Sequence, residues 1–128
     1  MSKVISILTP TRQRPNRLSE FIMSVYQHTD KKNRVEMLMY VDVDDPAKDL
    51  YLDFFEHCQT EFKDFLRIHF VFGAPKSVSQ SWNELYIRSV GDIIIMGNDD
   101  LIYRTPSWDR MIELESNAYK DDIFCMWM

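Results

Sequence analysis

Short apolar runs alternate with longer amphipathic segments along this chain, and this alternation limits the fold more than any other feature. Five runs have the length of β-strands and are nearly continuous in apolar residues; they lie at 4–10, 35–46, 67–73, 92–97 and 123–128. Strands that are buried on both faces have this composition. The pattern predicts an α/β fold in which helices cover both faces of a mainly parallel sheet, a three-layer, Rossmann-like arrangement with right-handed crossovers.

The segments between the runs carry apolar residues at helical spacing. We expect helices beginning near Asn16, Ala47, Ser77 and Thr105, with Asn16 as an N-cap and Ser77 with Gln80 as a capping box. Gly91 is expected to close the third helix as a C-terminal glycine, and Pro106 to take the first position of the fourth. The residues expected to face inward from these last two helices are Val78, Trp82, Leu85, Tyr86, Trp108, Met111, Ile112 and Tyr119.

Length and charge exclude several classes of protein. A chain of 128 residues fits one domain, 1–128, that can bury a core. The net charge of −5, without a basic block, argues against a nucleic-acid partner, and the apolar runs are too short for a membrane span. The two cysteines, Cys58 and Cys125, form no C-x-x-C motif, so we expect reduced core residues and a cytoplasmic location.

Glycine is scarce, and its positions exclude two common phosphate-binding motifs. The chain has glycine only at 73, 91 and 97, which leaves neither a P-loop nor a G-x-G-x-x-G turn. If the protein binds a nucleoside diphosphate, side chains or a metal must neutralise the phosphates.

Polar clusters lie at the ends of three of the apolar runs. They are Thr9–Arg12, Asp42–Asp45 and Asn98–Asp100. Because ligands of parallel α/β sheets bind outside the carboxyl ends of the strands, we expect the three clusters to meet at one edge of the sheet.

The Asn98-Asp99-Asp100 cluster has two interpretations. Asn and Asp are common turn residues, so the cluster alone is weak. It ends a central apolar run, however, and carboxylates together with a diphosphate and waters form an oxygen-rich shell suited to Mg²⁺ or Mn²⁺. On this interpretation Asp99 and Asp100 are metal ligands.

The other two clusters also allow a binding and a bland interpretation. Asp42 is interpreted as a ligand for a base or a ribose hydroxyl, whereas Asp45 is expected only to form the turn into the second helix. Arg12 belongs to a basic loop beside a helix N-terminus, which favours anions, although a solvated loop would look the same. Lys76 is a candidate phosphate or base contact, or a surface lysine.

Taken in order, these elements resemble the donor-binding half of a GT-A glycosyltransferase of the family 2 type. The residues that carry the resemblance are "ISILTPTRQRPNRLSEFIMSVYQ", "MYVDVDDP" and "SWNELYIRSVGDIIIMGNDD". Each motif is loose, but their order and spacing match across nearly the whole chain. The resemblance implies the GT-A type of Rossmann-like fold and transfer of a sugar from a nucleoside diphosphate sugar, with a UDP-sugar favoured, to a hydroxyl acceptor.

The resemblance also implies roles for individual residues. Pro10 and Thr11 would line the nucleotide pocket, and Asp42 would contact the base. Asn83 would face the donor, Asp99 would contact the ribose or a phosphate, and Asp100 would bind Mn²⁺ or Mg²⁺.

The chain departs from the family pattern at several positions. Gly97 stands where the family often has an acid, and Trp82 stands where it usually has an arginine. Family members also continue into an acceptor-binding half with a general base. We therefore assign no catalytic base, and expect that either the active site is incomplete or a second chain, such as another copy, completes it.

Three other functions fit parts of the sequence. A non-catalytic nucleotide-sugar-binding module would need the donor half alone. A nucleotidyltransferase uses similar metal-dependent chemistry but usually has a glycine-rich loop after the first strand. In a metal-free structural domain, the acids at the strand ends would only form turns.

Overall fold

The computed structural model describes residues 3–99, 101–116 and 124–127, with the backbone alone at 116 and 124–127. The strands are β1 (Ile5–Thr11), β2 (Val35–Asp42), β3 (Arg67–Gly73), β4 (Ile93–Met96) and β5 (Phe124–Trp127). The helices are α1 (Pro15–His28), α2 (Lys48–Glu61), α3 (Val78–Arg88) and α4 (Trp108–Ser116), with a 3₁₀ turn at Lys32–Arg34. The predicted alternation of strands and helices is confirmed.

The five strands form one sheet in the order β3-β2-β1-β4-β5, and every described pairing is parallel. Strand β1 lies at the centre, with Leu8 opposite Leu38 of β2 and opposite Met96 of β4. The chain moves outward from β1 to β3 and then crosses back to β4. The strand order therefore reverses between β1 and β4, which is the place where sheets of this kind bind ligands.

Alternate residues of the strands build two separate cores. Ile5, Ile7 and their neighbours pack with α1, α2 and α4, whereas Leu8, Leu38 and their neighbours pack with α3. Successive strand side chains point to opposite faces of the sheet, so both faces are apolar and both are covered. This confirms the three-layer α/β/α prediction.

Several predicted helix boundaries are wrong. Helix α1 begins at Pro15, one residue before the proposed N-cap Asn16, because the fixed φ of proline suits the first helical position. The capping box of Ser77 and Gln80 is confirmed. Helix α4 begins at Trp108 and not at Pro106, since Ser107 adopts a left-handed conformation (φ 55°) that separates the two.

Gly91 does not close α3 in the way that was predicted. Its φ is not positive, and the helix ends at Arg88, after which Ser89 is in an extended conformation. Glycine is needed here for space, because a Cβ atom would lie 2.8 Å from the backbone nitrogen of Ser6.

The inward faces of α3 and α4 are narrower than predicted. Leu85, Trp108 and Ile112 are buried, but Val78, Tyr86 and Met111 are exposed. Helix α3 is the one described helix on its face of the sheet, so it has no neighbouring helix to bury a wider stripe. Tyr119 lies outside the described residues, as do the side chain of Cys125 and the placement of Asp100. Cys58 is a free, buried core residue, and burial raises the pKa of its thiol to about 12.

At the amino ends of the strands, a fully buried carboxylate links β1, β2 and β3. Glu36 of β2 accepts hydrogen bonds from Nε and Nη2 of Arg67 on β3, at 3.2 and 3.0 Å. It also accepts from the Ser6 hydroxyl of β1 and from the backbone N–H of Val90, at 2.5 and 2.8 Å. The charge is thus fully paired, which is the condition for burying it.

We expect Arg67→Met to lower the free energy of unfolding by about 3 kcal/mol, because it leaves a buried carboxylate without its cation. Urea unfolding measures this change. The control is Arg88→Met, whose partner Glu84 lies one helical turn away on the surface, and which should cost less than about 0.5 kcal/mol. Equal losses for the two variants would contradict the role given to Glu36.

Candidate functional site

The carboxyl ends of β1, β2 and β4 open into a cavity of about 690 Å³. Its wall contains residues from the loop after β1, the end of β2, the loop after β3, the start of α3 and the residues after β4. Six of the residues predicted to bind a nucleotide or a metal line it: Pro10, Thr11, Arg12, Asp42, Lys76 and Asp99. The structure thus brings together residues that are up to 89 positions apart.

Asp99 and Thr11 meet across the point where the strand order reverses. The Thr11 hydroxyl, at the end of β1, donates a 2.8 Å hydrogen bond to Oδ2 of Asp99, which follows β4. The other carboxylate oxygen, Oδ1, lies 3.5 Å from Nη1 of Arg14. Asp99 is 5% exposed, so its charge is held at the floor of the cavity by a hydroxyl and a guanidinium.

Gly97 explains how Asp99 comes so close to β1. A Cβ atom at this position would lie 2.9 Å from Cγ2 of Ile7 and 2.5 Å from the Thr9 hydroxyl. The backbone N–H of Gly97 donates instead to the carbonyl of Leu8 at 2.8 Å. An acid, which the family pattern often has here, would not fit beside β1 in this arrangement.

Asp42 forms a second pair of an acid with an arginine. Its Oδ2 lies 3.6 Å from Nη1 of Arg12, and the Asp42 side chain is 8% exposed whereas that of Arg12 is 63% exposed. The cavity therefore carries two buried carboxylates on its wall, each facing a guanidinium that reaches toward solvent.

Asp45 has a role that the sequence did not indicate. It accepts a hydrogen bond from the N–H of Ala47 at 2.8 Å, which agrees with the predicted turn before α2. Its other oxygen accepts from the N–H of Gln13 at 2.8 Å. Gln13 adopts a left-handed conformation (φ 52°), unusual for a residue with a side chain, and it separates Arg12 from Arg14. Asp45 therefore holds the loop that carries both arginines.

Lys76 and two aromatic residues, Tyr40 and Trp82, also line the cavity, and sequence reasoning assigned the aromatic pair no role in the site. The Lys76 ammonium lies 5.8 Å from the centre of the Tyr40 ring, and the Tyr40 hydroxyl donates to the carbonyl of Ala74 at 2.6 Å. Trp82 donates from Nε1 to the carbonyl of Leu8 at 3.1 Å. The one available signal for Trp82 was its place in the family motif, where an arginine is usual.

Asn83 is not brought to this cavity. Its side chain is exposed, and among the described residues α3 contributes Val78, Ser81 and Trp82 to the wall. One residue along a helix turns the side chain by about 100°, so Asn83 points away from the face that Trp82 presents.

The described residues can be compared with what a divalent cation requires. Asp99 could supply a carboxylate oxygen, the ligand type that Mg²⁺ and Mn²⁺ prefer. Within residues 3–99 and 101–116 no group of three or more His, Cys, Asp or Glu side chains is placed to hold a metal. Mg²⁺ usually takes only one or two carboxylates together with substrate phosphates and water, so the carboxylate of Asp99 would fit such an ion when a diphosphate is also bound.

Comparisons with known proteins find similarity in structure and none in sequence. No family model and no curated protein matches the chain. The mannosyltransferase PcManGT from Pyrobaculum calidifontis, in complex with GDP-Man and Mn²⁺, superposes with a TM-score of 0.74 at 11% identity. S. aureus TarS superposes with a TM-score of 0.70 at 12% identity, and its complex with UDP with 0.67 at 11%.

The fold is that of the GT-A type glycosyltransferases. These superpositions cover 88% to 90% of this chain but 32% of each neighbour. The GT-A-type fold seen here therefore corresponds to about a third of their length. No helix in the described part of the chain is long and apolar enough to cross a membrane.

We expect Asp45→Ala to lower the free energy of unfolding by about 1–2 kcal/mol, because two backbone N–H groups lose their acceptor. The neighbouring Asp44→Ala is the control; Asp44 is exposed, and its loss should cost less than about 0.5 kcal/mol. Urea unfolding of both variants provides the comparison. A loss no larger for Asp45→Ala than for Asp44→Ala would show that Asp45 does not hold the arginine loop.

Proposed function

We propose that the chain binds a nucleoside diphosphate sugar together with Mn²⁺ or Mg²⁺, as the donor site of a glycosyltransferase. The observation that carries the proposal is the pair of buried acids, Asp42 and Asp99, which face arginines in one cavity at the strand-order reversal of a GT-A-type fold. The mannosyltransferase neighbour contains GDP-Man and Mn²⁺, and the TarS neighbour contains UDP.

Each end of the proposed ligand has a matching part of the wall. Asp42 is suited to the N–H groups of a base or to the hydroxyls of a ribose, since an ionised carboxylate only accepts hydrogen bonds. The cations Arg12, Arg14 and Lys76 are suited to the two phosphates. Pro10 and Thr11 form the wall between them, which leaves Asp99 for the ribose or for a metal-bound phosphate.

A bound divalent cation would stabilise the negative charge that grows on the departing diphosphate. We assign this cation to Asp99, with Asp100 as its companion proposed from the sequence. The rest of the donor chemistry is orientation: Arg12 and Arg14 fix the diphosphate, and Asp42 fixes the nucleoside.

Transfer also requires an acceptor hydroxyl and a base that removes its proton. The carboxylates among the described cavity residues are Asp42 and Asp99, and both are assigned to the donor. We therefore assign the donor step to this chain, and propose that the base and the acceptor surface lie outside the described residues or on a second chain.

A cytoplasmic location also stays a prediction.

A binding module without transfer activity is the second candidate. The observation that favours it is that both carboxylates in the described cavity, Asp42 and Asp99, face arginines and suit the nucleotide alone. Such a module would bind the nucleotide with the same residues, yet would neither transfer nor hydrolyse the sugar of UDP-glucose or GDP-mannose.

Thermal unfolding with UDP or GDP, each with and without Mn²⁺, tests the proposal. A ligand present at about 100 times its dissociation constant stabilises the folded state by roughly 2.7 kcal/mol, which raises the midpoint by several degrees. We expect the rise to need both nucleotide and Mn²⁺, and to disappear in Asp99→Asn and in Asp100→Asn.

The matched control is Asp49→Asn, which changes an exposed acid in the first turn of α2, away from the cavity. It should keep the full rise. If Asp99→Asn kept the rise as well, the nucleotide would be bound elsewhere. If wild-type protein showed no rise with either nucleotide, the result would favour a structural domain.

A further inference from the structure

Tyr51 lies behind the wall of the cavity and is not one of the residues that line it. Its side chain, on α2, is fully buried, and its ring packs 6.4 Å from that of Phe70. The hydroxyl points toward β1, where it lies 2.7 Å from the Thr11 hydroxyl. The backbone N–H of Arg14 also donates to it, at 3.0 Å.

The directions of these hydrogen bonds follow from the chemistry of the groups. An ionised carboxylate only accepts, so the single proton of the Thr11 hydroxyl is used for Asp99. The bond between Tyr51 and Thr11 must then be donated by Tyr51. The Tyr51 oxygen in turn accepts from Arg14. The result is a continuous chain of donors that runs from the Arg14 backbone through Tyr51 and Thr11 to Oδ2 of Asp99.

We propose that Tyr51 is a positioning residue for the donor site, which orients the Arg14–Asp99 pair through one phenol hydroxyl. It fixes the acid through Thr11, whose hydroxyl it holds in the orientation that faces Asp99. It fixes the arginine through the Arg14 backbone N–H, which it anchors just before α1 begins. This inference rests on the proposed function, because it concerns the carboxylate assigned to the ribose or the metal.

The geometry of Asp99 shows what this positioning achieves. Oδ2 is held by Thr11, while Oδ1 is directed toward Arg14. Loss of the Tyr51 hydroxyl frees Thr11 to turn its proton elsewhere, and the carboxylate can then rotate. A ligand that needs Asp99 in one orientation binds less well, although no atom in contact with it has been removed.

Burial suits Tyr51 to this role. Burial raises the pKa of the phenol above its ordinary value, although the hydrogen bond that the phenol oxygen accepts from the Arg14 N–H acts in the opposite direction. The phenol therefore stays protonated at neutral pH, and remains a donor.

Tyr103 provides a matched control within the same chain. It is also a buried tyrosine, and its ring packs against those of Phe21 and Trp108. Its hydroxyl, however, has no hydrogen-bond partner among the described residues. Tyr103→Phe therefore removes the same atom as Tyr51→Phe from a buried ring that does not line the cavity.

The test measures the affinity of UDP and GDP, each with Mn²⁺, by isothermal titration calorimetry on folded protein. Tyr51→Phe keeps the ring and its packing, and should weaken binding about tenfold. Tyr103→Phe should change the dissociation constant by less than about twofold. The contrast separates a positioning role from a general effect of removing a buried hydroxyl.

Thr11 variants test whether Tyr51 acts through Thr11. Thr11→Val removes the hydroxyl and should weaken binding at least as much as Tyr51→Phe, whereas Thr11→Ser keeps it and should bind within about threefold of wild type. In the double variant of Tyr51→Phe with Thr11→Val, the two losses of binding free energy should not add, because both substitutions break the same chain of hydrogen bonds. Additive losses would overturn the proposal that Tyr51 acts through Thr11.

The outcomes distinguish this inference from the proposed function. If wild type binds neither nucleotide, the proposed function fails and the inference fails with it. If wild type binds and Tyr51→Phe binds equally well, the inference alone is overturned. If Tyr51→Phe does not fold, the comparison of Thr11→Val with Thr11→Ser still tests the inference. Equal binding by these two variants would show that the Thr11 hydroxyl does not orient Asp99, and would overturn the inference.

Discussion

The whole site depends on the parallel pairing of β1 with β4 at the centre of the sheet. This pairing places Thr11 and Asp99, which are 88 residues apart, within hydrogen-bonding distance. It requires a residue without a side chain at Gly97, where a Cβ atom would crowd Ile7 and Thr9. The reversal of strand order at this point leaves a crevice, because the connections that follow β1 and β4 run in opposite directions along the sheet, toward β2 and toward β5.

Each buried carboxylate of the described cavity has a cation beside it before any ligand arrives. Asp42 and Asp99 are buried, and each lies beside an arginine whose side chain is at least half exposed. Burial makes an unpaired carboxylate costly, so the arginines stabilise the empty site. A diphosphate would offer the same arginines an anionic partner, and a metal would offer the carboxylates a cationic one. Ligand and metal can thus exchange with the existing pairs without leaving a buried charge alone.

The sequence predicted the sheet better than the contacts that shape the site. Strands and helices follow from local apolar spacing, and the Ser77–Gln80 capping box is likewise local, so both were predicted correctly. The errors at Asn16, Gly91 and Pro106 arose because neighbouring residues and close packing decided the helix ends. The bonds of Asp45 to Gln13 and of Tyr51 to Thr11 span 32 and 40 residues, and spacing carries no signal of them.

The most direct test of the central claim, that nucleotide binds at the carboxyl edge of the sheet, is a titration of ¹⁵N-labelled protein with UDP or GDP and Mg²⁺, followed by ¹H–¹⁵N spectra. We expect the largest shifts at the amides of Thr11–Arg14, Asp42, Ser81 and Trp82, with little change at His57 on the outer surface of α2. Shifts centred on α4 or on the outer surface of α2, with the cavity amides unchanged, would contradict it.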